Sequence, residues 1–268
     1  MELFCFPMVF DPCSLVLAVD LVQPVRLIAT DMDGTLTAAG TFTPMLLQAL
    51  IDLAAARIQV LIVTGRSAGW VSGLVNYLPI WGAIAENGGM FYRTNPPSEI
   101  ALTAIGDRTS YRQQLGDVFS RLQSEFPKLC ESADNQFRIT DWTFDVQGLL
   151  PEEIQTMRDR CADWGWGFTY STVQCHIKHP QQDKARGLRQ VLDTYFPDYP
   201  SNQVVTVGDS PNDESLFDRA QFPLSVGVAN VQHYKNELMH FPTYVMTKAE
   251  VEGFCQLVQL LLSGAETP

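Results

Sequence analysis

Basic residues are scarce in this chain. Eighteen Lys and Arg stand against 30 Asp and Glu, and the formal net charge is −12. So acidic a chain has no general electrostatic reason to coat nucleic acid or an anionic membrane. A small anion could still be held by a local device: a metal ion, a lysine or a helix N-terminus. Long apolar runs are missing too. Residues 1–24 contain Phe4, Phe6, Val9, Phe10 and an apolar stretch at 15–19, but Asp11 and Asp20 interrupt them. The stretch is too short and too broken to span a bilayer. It also lacks the basic start of a signal peptide, because no Lys or Arg precedes Arg26. Residues 1–24 therefore read as an N-terminal extension. A cytoplasmic protein is the expectation, with neither nucleic acid nor membrane as partner. The six cysteines (Cys5, Cys13, Cys130, Cys161, Cys175 and Cys255) include no CxxC pair. Their spacing suggests neither a zinc ribbon nor a disulfide framework, which leaves scattered reduced thiols. Internal repeats and low-complexity tracts are absent as well.

What is present is enough for a sizeable core. Hydrophobic residues make up 46% of 268 positions, a length that suits one domain with a smaller inserted module. Residues 25–30 form a short apolar run ending at Asp31, which predicts a buried strand. Thr43-Pro44 then opens a helix as N-cap and first helical residue, with Leu46, Leu47, Leu50, Leu53 and Ala54 at helical spacing. A second strand at 58–63 ends at Thr64, Gly65 and Arg66. Ser67 caps a further helix to Leu78, and a third strand at 82–85 precedes the turn Glu86-Asn87-Gly88-Gly89. Strand alternating with helix predicts an α/β fold with a parallel sheet. Right-handed crossovers then bring Asp31, Thr64 and Glu86 to one rim, where open α/β sheets bind ligands.

The same rhythm returns late in the chain. A helix at 181–196 carries Lys184, a strand at 204–207 ends at Gly208-Asp209, and Ser210-Pro211 opens another helix. A strand candidate at 222–228, a short one at 244–246 and an amphipathic C-terminal helix follow. Thr247 and Glu250 have the spacing of a capping box ahead of that helix. Residues 91–178 break the rhythm, with helical patterns at 112–126 and 151–164 and extended ones at 137–146 and 167–177. They read as an α+β module inserted into a sheet domain made of residues 25–90 and 179–268.

Two local patterns carry chemistry. Asp31-Met32-Asp33-Gly34-Thr35-Leu36-Thr37 places two carboxylates two residues apart at a strand end, and Gly34 permits the bend that lets them share a site. Gly208-Asp209-Ser210-Pro211-Asn212-Asp213 supplies two more carboxylates after another strand. Like charges this close need compensation. A divalent cation such as Mg2+ suits hard oxygen ligands. Lys184 is placed to add a positive charge, and Thr64 a neutral hydrogen-bond donor.

These four motifs, in this order, resemble those of the haloacid dehalogenase superfamily. The inserted module is similar to the larger α/β cap of its Cof-like and sucrose-phosphatase-like branch. The motifs cover few residues, but the implied architecture, a Rossmann-like core with an inserted cap, runs from about Val25 to Ser263. The resemblance implies that Asp31 attacks phosphorus to form an acyl-phosphate. It implies that Asp33 protonates the leaving alkoxide and then deprotonates water. Asp31, the Asp33 carbonyl and Asp209 would bind Mg2+, with Asp213 reaching it through water or orienting Lys184. Thr64, Gly65, Lys184 and Asn212 would hold the phosphoryl group. Aspartate at 33, where ion-pumping relatives carry threonine, favours hydrolysis of a phosphate ester. The expected substrate is a small phosphorylated metabolite, probed first among sugar and polyol phosphates. A sugar phosphomutase on the same core and a non-enzymatic phosphorylation-dependent signalling module are the competing readings. Nothing in the chain specifies an oligomeric state.

Other residues are read more plainly. His176 and His179 suggest a metal pair, but strand alternation does not put both on one face and no partner completes a site. A structural or exposed role is expected. Arg66 ranks below Thr64 as a phosphate ligand. Arg138 and Lys178 read as solvated surface and the aromatic residues of 137–170 as core. Residues 15–20 imitate a strand ending in aspartate, but no Gly-Thr turn follows Asp20.

Overall fold

The computed structural model describes residues 25–264. The N-terminal extension at 1–24, with Cys5, Cys13 and the strand-like stretch at 15–20, lies outside the described residues.

The first strand, β1 (Leu27–Thr30), is wholly buried because the chain is apolar on both faces there. Helix α1 (Pro44–Ala55) starts as expected, with the Thr43 hydroxyl accepting from the Leu46 amide. Strand β2 (Gln59–Val63), helix α2 (Ala68–Leu74) and strand β3 (Gly82–Ala85) complete the first half. Helix α2 stops four residues short of the expected Leu78. Gly69 and Gly73 lie within it and Pro79 lies just beyond, all poor for helix continuation. Next come β4 (Met90–Thr94) and β5 (Pro97–Ala101). They form a hairpin that pairs antiparallel onto β3, so the eight-stranded sheet continues through it. This corrects the boundary read at residue 91. The hairpin belongs to the core sheet, because Phe91 packs with Ile84 and Leu61 in one core layer.

The inserted module follows. Helices α3 (Arg108–Glu125) and α4 (Pro151–Asp163) lie on a three-stranded antiparallel sheet of β6 (Asp141–Asp145), β7 (Gly167–Tyr170) and β8 (Gln174–Lys178), in the order β6-β8-β7. Its own core includes Leu115, Phe119, Phe144, Met157, Cys175 and Ile177. Cys130, Cys161, Cys175 and Cys255 are free thiols.

The chain then returns to the large sheet through α5 (Lys184–Tyr195), β9 (Val204–Gly208), β10 (Leu224–Gly227), β11 (Tyr244–Val245) and α6 (Glu250–Gly264). The sheet order is β11-β10-β9-β1-β2-β3-β4-β5, parallel from β11 to β3. Alternation sorts its side chains into two layers. Ile28, Val60 and Ile62 face α1, α2 and α6; Leu27, Ala29, Leu61 and Val63 face α5. Among the described residues no helix is long and apolar enough to cross a membrane.

Two expected helix starts differ. Residues after Ser210 form a 3-10 segment, Pro211–Phe217, in which the Asp213 carboxylate turns back to the amides of Asp209 and Ser210. The capping box at Thr247 does not form. Gln256 accepts from the Thr247 and Lys248 amides instead, and Glu250 turns toward the Ala39 amide.

Candidate active site

Register brings the two acidic motifs together. Thr30 pairs with Val207, so β1 and β9 end side by side and release Asp31 and Asp209 at one rim. The Asp31 amide is held by the Val207 carbonyl at 2.9 Å. Gly34 has φ +80°, and a methyl group there would lie 2.5 Å from Asp209 Oδ2. Glycine is therefore required twice over, for the turn and for the close approach.

Lys184 joins the motifs. It is the first residue of α5, which the Asp183 side chain caps. Its ammonium is fully buried, 2.5 Å from Asp31 Oδ1 and 2.7 Å from Asp213 Oδ1. Its side chain is turned inward onto the acids. Burial alone would favour a neutral amine, but Asp213 and Asp31 raise its pKa above the ordinary lysine value. Asp213 is saturated, since its second oxygen accepts from the Asp209 and Ser210 amides at 2.9 and 3.1 Å. Asp209 accepts from the Thr35 hydroxyl at 3.0 Å and from Asn230 Nδ2 at 2.8 Å. Asn230 also donates to the Gly34 carbonyl, which ties a third segment to the rim.

The carboxylates of Asp31, Asp209 and Asp213 each offer an oxygen within 4.8 Å of the others, all buried. Burial pushes the Asp31 pKa up to about 7; Lys184 opposes this, and Asp213 and Asp33 add to it. Burial together with the charges of Asp31 and Asp213 raises Asp209 well above the usual carboxylate range. A buried acidic cluster with one lysine is short of positive charge, and an all-oxygen donor set fits a hard divalent cation. Because Asp213 is occupied by Lys184 and two amides, Asp31 and Asp209 are the carboxylates of the cluster with more free acceptor capacity.

Above this layer is a narrow cleft, lined by Asp31, Asp33, Thr64, Gly65, Arg66 and Asn212 from the core sheet domain. Ser171, Val173, Gln174 and His176 of the inserted module close it from above. Arg66 holds both Asp33 oxygens, at 2.5 and 2.8 Å. It is thus paired with Asp33 rather than standing free as a phosphate ligand. The Thr64 hydroxyl accepts from the Arg66 amide at 3.2 Å, which leaves its hydrogen available to a ligand. Asn212 donates to Asn87 Oδ1 at 3.0 Å, and Asn87 Nδ2 is buried without a partner among the described residues.

Three expectations about the inserted module are corrected. Arg138 is not solvated. Its fully buried guanidinium bonds Asp134, Asp141 and Gln174 and reaches the Gly65 carbonyl at 2.9 Å. Lys178 is buried too, and it donates to the Gln182 carbonyl. His176 has a carboxylate partner after all, with Nδ1 2.8 Å from Asp141 Oδ2. Glu86, expected on the rim, is the joint between module and core. Its buried carboxylate accepts from the Ala68, Ile139 and Thr140 amides and from the Thr140 hydroxyl.

Residues 28–103 and 111–255 match the profile of the haloacid dehalogenase-like hydrolases. The chain belongs to that family. A curated relative from Metallosphaera sedula, a phosphoglycolate phosphatase, is 27% identical over 246 residues, covering 89% of this chain and 100% of the relative. Among solved structures, a Thermoplasma acidophilum protein superposes with a TM-score of 0.70 at 20% identity, over 90% of this chain and 99% of that one. A HAD/Cof-like hydrolase from Plasmodium vivax gives 0.69 at 18% identity, over 92% and 99%. These neighbours share the fold.

Proposed function

We propose that this haloacid dehalogenase-type phosphatase hydrolyses a small phosphorylated metabolite through an aspartyl-phosphate on Asp31, with Mg2+ at the acidic cluster. The observation that carries this reading is the buried Lys184 bridging Asp31 and Asp213 beneath a cleft that also contains Asp33, Thr64 and Asn212. Asp31 presents one oxygen to Lys184 and attacks phosphorus with the other, forming an O–P bond as the ester O–P bond breaks. Asp33 gives its proton to the leaving alkoxide and takes one from the water that hydrolyses the acyl-phosphate. Lys184, Thr64 and the cleft amides hold the phosphoryl oxygens. The bound cation would offset the charge of nucleophile and phosphoryl group. The inserted module acts as a cap that keeps bulk water from the acyl-phosphate.

The substrate is narrowed from the sugar and polyol phosphates first expected. The cleft is narrow and closed over by the inserted module, which favours a small leaving group. The relatives of comparable length are named phosphoglycolate phosphatases. We therefore assign a short phosphorylated hydroxy acid, of which 2-phosphoglycolate is the simplest. The test is phosphate release from it with Mg2+. Asp31→Asn is expected to lower turnover at least ~1,000-fold, because the nucleophile is removed. Chelation should abolish turnover and added Mg2+ restore it. Isomerised product without free phosphate would instead favour the mutase, and a long-lived phosphorylated chain the signalling module.

A further inference from the structure

Strand β8 alternates between two environments. Cys175 and Ile177 enter the cap core, so Gln174, His176 and Lys178 take the opposite face, toward the catalytic rim. His176 is nearly inaccessible on that face, and its orientation is fixed from behind. Nδ1 bonds Asp141 at 2.8 Å, and both Asp141 oxygens accept from Arg138 Nη1 at 3.0 Å. Arg138 is held in turn by Asp134 and Gln174. A buried polar chain of this length is costly unless every member is satisfied, and when satisfied it fixes one geometry. What it fixes is the Cε1–Nε2 edge of His176. A methyl group on Gly65 would lie 3.1 Å from Cε1 and 3.2 Å from Nε2, so any side chain there would press on the ring edge, which lies close to the Thr64-Gly65-Arg66 turn. The ring edge therefore lines the same cleft as Asp31 and Asp33.

We propose that His176, oriented by Asp141 and Arg138, is the specificity-determining residue that receives the carboxylate of a short phosphorylated hydroxy acid. This rests on the phosphatase reading above and assigns the part of the site that grips the end remote from phosphorus. The geometry is suited to an anion. The Asp141 carboxylate fixes the proton on Nδ1 and stabilises an imidazolium, whose Nε2–H then points into the cleft. Burial holds the His176 pKa below its ordinary value against the pull of Asp141, so a second negative partner favours the charged ring. The ligand carboxylate is that partner, and the proton comes from solvent as the ligand docks. The charges facing the ring are Asp141 and Arg138 behind it, Lys178 along its own strand, and Asp31, Asp33 and Arg66 across the cleft. Arg66 is already paired with Asp33, which leaves His176 as the donor on the side where the carboxylate would lie.

The experiment compares 2-phosphoglycolate with 2-hydroxyethyl phosphate, its neutral analogue, in the full chain with Mg2+. p-Nitrophenyl phosphate serves as a probe that needs no recognition of a second group. In the unsubstituted protein the carboxylate substrate should be preferred. In His176→Gln the preference in kcat/KM should fall about 10- to 100-fold, the range for one hydrogen bond to a charged group, and mostly through KM. Turnover of p-nitrophenyl phosphate should stay within a few fold. An unchanged preference in the variant, or none in the unsubstituted protein, overturns the proposal while leaving the phosphatase reading intact. Failure to release phosphate from all three compounds overturns both. Should His176→Gln not fold, the four histidines of the chain offer a second measurement. With His179, His233 and His240 replaced by Gln, the remaining imidazole resonances belong to His176. They should shift with 3-phosphonopropionate and not with propylphosphonate; resonances unmoved by the former overturn the proposal.

Discussion

At the scale of single residues, the site shows how burial converts ordinary side chains into specialised ones. Lys178 and Lys184 are both buried lysines, yet they sit on opposite sides of their ordinary pKa. Lys184 has two carboxylates in contact. Lys178 has a carbonyl, and burial lowers its pKa to about 8 against a weaker pull from Asp183 and Asp141. Between pH 8 and 10.5 the folded chain then binds fewer protons at Lys178 than the unfolded chain does, so stability at this site rises with pH. Below pH 8 both states are charged and the folded state bears the full penalty, at most ~3 kcal/mol. Lys178→Met should therefore be the more stable protein at pH 7, and its advantage should shrink toward pH 10. Denaturant midpoints of both proteins across that range decide it; an advantage independent of pH would contradict the assignment. The motif residues Asp31, Asp33, Thr64, Lys184, Asp209 and Asp213 were legible in the sequence because each lies in a contiguous pattern at a strand or helix end. His176, Asp141 and Asn230 were not, since each acquires its partner through packing between distant segments. Asp141 and His176 are 35 positions apart, and only the pairing of β6 with β8 sets Thr143 opposite His176 and Asp141 beside it.

At the scale of elements, the alternation of strand and helix was legible and the joints between modules were not. The β4–β5 hairpin is a local feature, but which sheet it joins depends on Phe91 fitting the layer beneath α5. The turn after β3 carries a similar hidden role. Glu86 receives the amides of Ile139 and Thr140 at 2.6–3.1 Å and the Thr140 hydroxyl at 2.6 Å, which binds the segment entering β6 to the core. All these partners are donors, so the residue must offer two acceptor oxygens. Glu86→Gln replaces one with an amide that confronts N–H groups. The expected cost is about 2–3 kcal/mol, the scale for hydrogen bonds to a charged acceptor. Amide exchange at Ile139 and Thr140 should accelerate with it, while exchange in β1 and β9 slows or holds relative to those sites. Unchanged protection at 139–140 would show that the joint is held by something else.

At the scale of the whole molecule, the chain contains separate hydrophobic cores joined mainly by polar contacts. One core is internal to the cap, around Leu115, Phe144, Met157 and Ile177, and two layers flank the large sheet. Between them lie Glu86, the Arg138 bond to the Gly65 carbonyl and the Tyr170 hydroxyl bond to Glu237. Hydrophobic burial makes each core cooperative by itself, whereas a few hydrogen bonds couple the two weakly. The cap of the ligand-free protein should therefore melt below the core, as a separate calorimetric transition or as faster amide exchange in α3 and β8. A ligand spanning the cleft changes this. On the proposed reading, 3-phosphonopropionate with Mg2+ would contact the rim at Asp31 and the cap at His176. It binds only when both are folded, so it stabilises them jointly, by about 2.7 kcal/mol at a hundredfold excess over Kd. The two transitions should then merge, and protection in β8 should rise to that of β1. Propylphosphonate at equal occupancy lacks the cap contact, so it should raise the core transition and leave the cap behind. If both phosphonates merged the transitions equally, the coupling would run through the phosphoryl end alone, and the carboxylate contact at His176 would not be what closes the cap.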